Sequence, residues 1–312
     1  MKADRGEPVR DTPTDRDEIF QQHRPLLFSI AYRMLGSVAD AEDMVQEAFV
    51  RWQQASGTEV RSPKSYLFSV VTRLCIDHLR SAKVQREQYV GSWLPEPMLT
   101  DGSLDVAETI ELDETLSMAF LVLLEKLTPV ERAVFLLREV FDYDYGEISR
   151  IVGKSEANCR QIARRARESV AARRPKFEAS AEQEERLMGS FLEACFSGDM
   201  EGLLGLLSED VILYSDGGGK TRAALNPIYG ADKVARFFFG ILRQVPPGFT
   251  VRRAQVNGLP GLVGYFGDGS PQNVATLDVA EGEIQAIRLV LNPEKLGNVP
   301  TLQQLEGKEE SQ

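Results

Sequence analysis

Over the first 175 or so residues the apolar positions recur at helical spacing, and after about residue 205 they gather into short strand-like runs. The first helical stretch carries Leu26, Leu27, Ile30, Ala31, Met34 and Leu35 with a period near 3.6, and Gly36 closes it. Asp40 is read as opening a second helix, with Glu42 and Asp43 in its first turn, where carboxylates suit the helix dipole. A third helix follows Pro63 through Tyr66, Val70, Leu74 and Leu79. The run GSWLPEPMLTDGS, residues 91–103, has the prolines and glycines of a linker and leads into an acidic stretch, Asp101 to Glu114. Helical spacing returns over 112–127. Thr128-Pro129-Val130-Glu131 is a capping box with proline at the first helical position, ahead of Val134, Leu137 and Phe141. A short helix over 147–152 ends at Gly153, and Ser155 caps a further one reaching about residue 172.

Beyond Pro175 the pattern predicts helices over 182–196, 200–207 and 233–242. Strands are expected over 211–214, 250–256, 262–266, 274–279 and 284–291. Asn257-Gly258, Asp268-Gly269 and Glu281-Gly282 separate the later strands as hairpin turns, which makes this part an α+β domain.

Composition changes this picture in one respect. The chain of 312 residues carries a net charge of −11, which taken as a mean opposes nucleic-acid binding. The charge is segregated, however: residues 150–176 hold nine lysines and arginines against Glu156 and Glu168. That island is the footprint of a polyanion site. Its helix places Cys159, Ile162, Ala163, Ala166 and Val170 on one side and Ala157, Arg160, Gln161 and Arg164 on the other. With the Gly153 turn and Ile148, Ile151 and Val152 before it, this is a helix–turn–helix with a basic second helix. The second helix of the chain faces its core with Val45, Ala48, Phe49 and Trp52 and outward with Asp40, Asp43, Gln46, Glu47 and Val50. That acidic face fits either plain solvation or docking on a basic protein surface. The third helix begins aromatic and ends basic, at Arg73, Arg80, Lys83 and Arg86, which fits a solvated face or stacking on unpaired bases. His78 on the same helix reads as structural. The three cysteines are scattered, so no disulfide framework, metal site or cofactor is expected. The first residues are polar and no apolar run is long enough for a membrane span, so a cytoplasmic protein with no membrane partner is expected.

Together these segments resemble the extracytoplasmic-function sigma factors of bacterial RNA polymerase. DAEDMVQEAFVRW is similar to the region-two segment that binds the polymerase clamp, and VRSPKSYLFSVVTRLCIDHLRSAK to the segment that melts and reads the minus-ten element. The stretch from Leu127 to Val170 is similar to region four, which binds the minus-thirty-five element. The remainder resembles the subgroup with a C-terminal SnoaL-like domain of the nuclear-transport-factor-like fold, through Trp93-Leu94-Pro95-Glu96-Pro97, Asp216-Gly217-Gly218-Gly219-Lys220 and Asn292-Pro293-Glu294-Lys295, the last with Glu where Asp is usual. The resemblance implies a multidomain chain: two all-α sigma domains followed by an α+β SnoaL-like cone. Expected boundaries are 15–90, a linker over 91–111, 112–176, 180–297 and a tail over 298–312.

The resemblance further implies polymerase contacts at Asp40, Asp43, Gln46, Glu47 and Arg51, minus-ten contacts at Lys64, Tyr66, Arg73, Asp77 and Arg80, and minus-thirty-five contacts at Ser155, Asn158, Arg160, Gln161 and Arg164. Core RNA polymerase and promoter DNA are the implied partners. The C-terminal domain would regulate in cis, without a separate anti-sigma factor. The WLPEP segment, extended by its prolines, is either a stiff linker or a segment that docks through its anchor Trp93 on a surface formed by Asp216–Lys220 and Asn292–Lys295. Two other classes remain open: a ligand-sensing helix–turn–helix repressor, and an enzyme fused to a DNA-binding module. An unidentified small ligand in the C-terminal domain is a further candidate partner under each of these readings. For an enzyme the candidate acid–base groups are Asp216, Tyr214, Tyr229, Tyr265 and Asp278, with Asp216 expected in an exposed, mobile loop.

Overall fold

The computed structural model describes residues 13–55, 60, 62–87, 89–100, 114–172 and 180–309. The acidic run over 101–113, the basic residues Arg173, Arg174 and Lys176, and the side chains of Lys83 and Arg86 lie outside the described part. The chain forms two compact units. One draws on Met1–Leu35, Ala39–Ser81 and Leu127–Glu168, and the other on Gly36–Val38, Ala82–Lys126 and Ser169–Gln312.

The first unit is helical. α1 (Pro13–Leu35), α2 (Val38–Gln54) and α3 (Pro63–Glu87) bury Leu27, Phe28, Ile30, Trp52, Leu67 and Phe68. The second helix thus starts two residues before the expected Asp40. Arg16 threads into this core: its guanidinium lies 3.9 Å from the Trp52 ring centroid and donates to Trp52 O, while Trp52 Nε1 donates to Arg16 O at 3.0 Å. The same unit holds α5 (Pro129–Phe135), which widens into a π turn, Leu136–Val140, followed by α6 (Tyr145–Val152) and α7 (Glu156–Ala171). The Thr128–Glu131 capping box forms as expected, and a second one, Asp144–Glu147, starts α6 earlier than the periodicity indicated. The two helical segments expected as separate domains are packed together here. Phe68 stacks on Tyr143 at 5.3 Å and meets Phe141 edge-on at 6.1 Å, and buried Arg132 donates to Met34 O at 2.5 Å.

The second unit is built on a six-stranded sheet of order β2-β1-β6-β5-β4-β3. Its strands are β1 (Leu207–Asp216), β2 (Ile228–Tyr229), β3 (Thr250–Val256), β4 (Leu259–Tyr265), β5 (Pro271–Ala280) and β6 (Glu283–Val290). β3 to β6 form the expected meander. Asn257-Gly258 and Glu281-Gly282 turn with positive φ at both residues, 54° and 81°, then 55° and 82°, the geometry of a two-residue hairpin loop. β1 joins parallel to β6, an added edge the local pattern did not reveal. On one sheet face α8 (Ala181–Ser197), α9 (Met200–Leu204) and α10 (Ala231–Leu242) close a core with Leu213, Leu277 and Ile287. On the other face Val263, Tyr265, Val274 and Val290 meet Leu94 and Leu99 of the linker, Met118 of α4 (Met118–Leu124), and Leu296, Val299 and Leu305 before and within α11 (Leu302–Glu309). The linker and α4 thus belong to the C-terminal unit's core. No helix among the described residues is long and apolar enough to cross a membrane.

Candidate nucleic-acid interface and linker-docking site

On α7 the expected division of faces is realised. Cys159, Ala163, Ala166 and Val170 are buried, while Asn158, Arg160, Gln161 and Arg164 are exposed. Gly153 ends α6 with φ 67°, the left-handed value a glycine takes without strain, and Ser155 Oγ accepts from Asn158 N at 3.3 Å as the cap of α7. Ser155 therefore positions the helix start. Arg160 and Arg164 pair along the helix with Glu156 and Glu168 at 2.9 and 2.8 Å. These exposed pairs are worth little and leave both guanidinia available for exchange.

On α2 the inward side chains are Ala41, Val45, Ala48 and Trp52. Asp43, Gln46, Val50 and Arg51 are exposed, with Asp40 and Glu47 half-buried beside them. Glu47 pairs with Arg51 at 2.8 Å, and Asp40 lies 3.6 Å from His78 Nε2. On α3, Lys64, Asp77 and Arg80 are exposed, the last two paired at 3.1 Å. The Tyr66 ring is half-buried, 5.8 Å from Trp52. Arg73 is engaged within the unit: Nε donates to Ile151 O at 2.9 Å and Nη2 to Arg150 O at 2.7 Å, at the C-terminus of α6.

In the second unit the WLPEP segment is docked. Asp216, expected to be exposed, is fully buried. Its Oδ1 accepts from Tyr89 OH at 2.6 Å and Gly218 N at 3.1 Å, and its Oδ2 accepts from Leu94 N at 2.8 Å and Lys295 Nζ at 2.7 Å. Asp216 O in turn takes the N–H groups of Leu291 and Asn292. The glycines after Asp216 serve close packing: a Cβ on Gly218, at φ 59°, would stand 2.3 Å from Asn292 Nδ2, and one on Gly219 would meet Val90 at 3.2 Å. Asn292 Nδ2 donates to Tyr89 OH at 2.9 Å, and Asn292 Oδ1 caps the Pro293–Lys295 turn through Glu294 N. Lys220 pairs with Glu294 on the surface. Lys295 also donates to Leu94 O and lies 4.2 Å from the Trp93 ring centroid. The buried anchor is Leu94, 1% exposed, followed by buried Pro95, Glu96, Pro97, Met98 and Leu99, whereas Trp93 is half-buried under the Lys295 ammonium. Glu96 accepts from Asn298 Nδ2, Ser37 Oγ and Val38 N, all in the same unit.

Downstream, the linker extends the sheet at its β3 edge. Leu99 bridges Val256 antiparallel, Asn257 N donates to Met98 O at 2.8 Å and Thr100 N to Gln255 O at 2.8 Å. Covering an edge strand in this way removes unpaired backbone groups and gives main-chain affinity. Asn257 is the residue the sequence reading missed: fully buried at φ 54°, it accepts from Met98 N at 3.0 Å and donates to Leu116 O at 3.0 Å. Its Asn-Gly signal marked only the hairpin. Tyr89 was also missed; the buried Asp216 raises its phenol, after burial itself.

The enzyme candidates are dispersed. Tyr229 is exposed, Tyr265 is buried in the linker-side core, and Asp278 is committed to a buried ion pair with Arg288, whose guanidinium lies over the half-buried Tyr214.

Residues 19–84 match the family model of sigma-70 region 2, and residues 117–170 that of sigma-70 region 4. The chain is 36% identical over 293 residues to the ECF RNA polymerase sigma factor SigJ of Mycobacterium tuberculosis, covering 90% of this chain and 93% of that one. It is 34% identical over 281 residues to the probable ECF RNA polymerase sigma factor SigI of the same species, covering 89% and 93%. The crystal structure of M. tuberculosis SigJ superposes with a TM-score of 0.76 at 34% identity, over 91% of this chain and 99% of that one. With region two and region four in order, an exposed basic helix closing region four and a C-terminal α+β domain, the chain belongs to the extracytoplasmic-function sigma factors, which bind core RNA polymerase and promoter DNA to start transcription.

Proposed function

We propose that this sigma factor acts in the cytoplasm and is restrained in cis by its C-terminal domain, through the docked linker, without a separate anti-sigma protein. The acidic face of α2, with Asp40, Asp43, Gln46, Glu47 and Arg51, receives the polymerase. Lys64, Tyr66, Arg73, Asp77 and Arg80 of α3 serve the minus-ten strand. Asn158, Arg160, Gln161 and Arg164 of α7 read the minus-thirty-five groove, with Ser155 setting the helix start.

The observation that carries the restraint is the burial of Leu94 to Leu99 around Asp216 and Asn257. Elements centred ten and thirty-five bases upstream are about 25 base pairs apart, roughly 85 Å of duplex. A compact unit holding both reading segments is only about 40 Å across. The segments must therefore separate, on a linker that spans about 100 Å from residue 88 to residue 116 if fully extended. With 89–100 and Leu116 held on the C-terminal domain that reach is lost.

The test is run-off transcription with core RNA polymerase, comparing the wild-type chain with Leu94→Asp and with a chain stopped after Lys176. A several-fold rise for Leu94→Asp is expected. Unchanged transcription overturns the restraint, and activity lost on truncation alone would make the domain a scaffold instead.

A further inference from the structure

The second unit holds a half-open cavity of about 530 Å³ on the sheet face opposite the linker, a size in the range of small-molecule sites. Its walls are aromatic: Phe191, Phe196, Phe237, Phe238 and Phe249. Its floor is Leu262, Ala275 and Leu289. No carboxylate, imidazole or phenol is among the described residues lining it, and burial pushes the Cys195 thiol up to about 12, so the cavity is equipped to bind and not for acid–base work. Two cations reach it. Arg236 is paired with Asp232 at 2.9 Å. Arg222 donates to Gln244 Oε1 at 3.1 Å and makes no ion pair among the described residues. An apolar, ring-lined space with one uncompensated guanidinium calls for a flat apolar anion.

The cavity shares a wall with the linker dock. Arg222, Ala223 and Ala224 line it and belong to the loop that leaves Asp216. That loop is tightly folded: a Cβ on Gly217 would stand 2.6 Å from Thr221 O and 2.7 Å from Ala223 Cβ. A Cβ on Gly91 of the linker would reach Leu225 and Ala224 at 3.9 to 4.0 Å. Leu291 lines the cavity too, while its N–H holds Asp216 O, and the next residue, Asn292, holds Tyr89.

We propose that this cavity binds a flat, apolar organic acid, and that its occupancy is coupled to linker docking through the 216–225 loop and Leu291–Asn292. The binding half stands alone; the coupling half rests on the cis-restraint reading above. Coupling of this kind is reciprocal, so it is readable from the ligand side without any transcription assay.

The probe is 1-anilinonaphthalene-8-sulfonate, titrated by fluorescence into the full-length chain. Saturable binding at one site per chain is expected. Gly240→Trp should abolish it: Gly240 lines the cavity on α10, a Cβ there meets nothing within 4 Å, and replacing a helix glycine favours folding. Arg222→Gln should weaken it about tenfold, the scale of one charge-assisted hydrogen bond, while leaving the neutral probe Nile red unaffected. Absence of saturable binding, or binding indifferent to Gly240→Trp, overturns the site. Asp216→Ala should change the affinity at least threefold, with Tyr89→Phe as the milder comparison should the first not fold. Identical affinities in wild type and both variants overturn the coupling and leave the site in place.

Discussion

Tyr89 OH donates to Asp216 Oδ1 at 2.6 Å, joining the segment that follows α3 to the last residue of β1 across 127 positions of sequence. The carboxylate it meets is fully buried and neutralised by Lys295 at 2.7 Å. Removing one partner of a buried pair leaves the other charge uncompensated, at a cost of about 3–5 kcal/mol. Asp216→Ala should therefore release the linker, whereas Tyr89→Phe, which deletes one hydrogen bond, should loosen it by about 1–2 kcal/mol. Amide hydrogen exchange at Leu94 and Met98 measures both, because their N–H groups point at Asp216 and Asn257. Slow exchange at Leu94 in Asp216→Ala would exclude Asp216 as the hub.

The same contact predicts a pH limit. Burial first and the Asp216 carboxylate second push the Tyr89 phenol well above its ordinary value of 10. The docked state thus keeps a proton that the released linker gives up from about pH 10. Its contribution is complete below pH 10 and fades as pH rises beyond. Ultraviolet difference titration of wild type against Tyr89→Phe isolates this phenol, and a midpoint at 10 would mean that it is not held in the dock.

Much of this arrangement was legible in local pattern. The apolar face of α7, the Gly153 turn and the Asn257-Gly258 and Glu281-Gly282 hairpins all follow from constraints within a few residues. What was not legible depended on distant ones. Asp216 before three glycines reads as an exposed loop, yet those glycines let the backbone close on Asn292. Trp93 reads as the anchor because of its size, but the docked strand turns Leu94 inward and leaves the indole to cover Lys295. The parallel pairing of β1 with β6 spans about seventy residues, beyond any local period.

Glu184, on α8, gives a prediction for the C-terminal domain alone. Burial, then Asp278, raises its carboxyl to about 7. A raised folded-state value means stability present below the unfolded value near 4.5 and lost as pH climbs through 7. The wild-type Tm should therefore fall between pH 5 and pH 8 relative to that of Glu184→Gln. A constant difference between the two would show that Glu184 is ionised in the fold.

The recognition helix separates two kinds of contact. Arg164→Ala, if Arg164 holds a phosphate, should weaken promoter binding about equally across sequences and lower the salt slope by about one. Gln161→Ala, if Gln161 reads a base edge, should cost about 1–3 kcal/mol on the cognate minus-thirty-five duplex and little on a scrambled one. Gel shifts with holoenzyme at several salt concentrations distinguish them, and loss of sequence preference in Arg164→Ala would reverse the assignment.

Arg73 carries the last prediction, because its guanidinium has two competing uses. In the first unit it satisfies Arg150 O and Ile151 O, carbonyls at a helix C-terminus that lack intrahelical partners and favour a cation. While it does so it cannot also hold the minus-ten strand. Arg73→Ala leaves those carbonyls to water and should weaken the packing of α6 on α3 by about 1–3 kcal/mol, read as faster exchange of the α6 amides. It should also slow promoter melting by the holoenzyme, read by permanganate reactivity of unpaired thymines. Arg73→Lys keeps the charge but not the fork that spans two carbonyls, so it should recover melting in part and α6 protection hardly at all. Unchanged exchange in Arg73→Ala would sink the clamp, and unchanged melting would remove Arg73 from the minus-ten set. Both changing together means that opening the helical unit and engaging the promoter draw on one side chain.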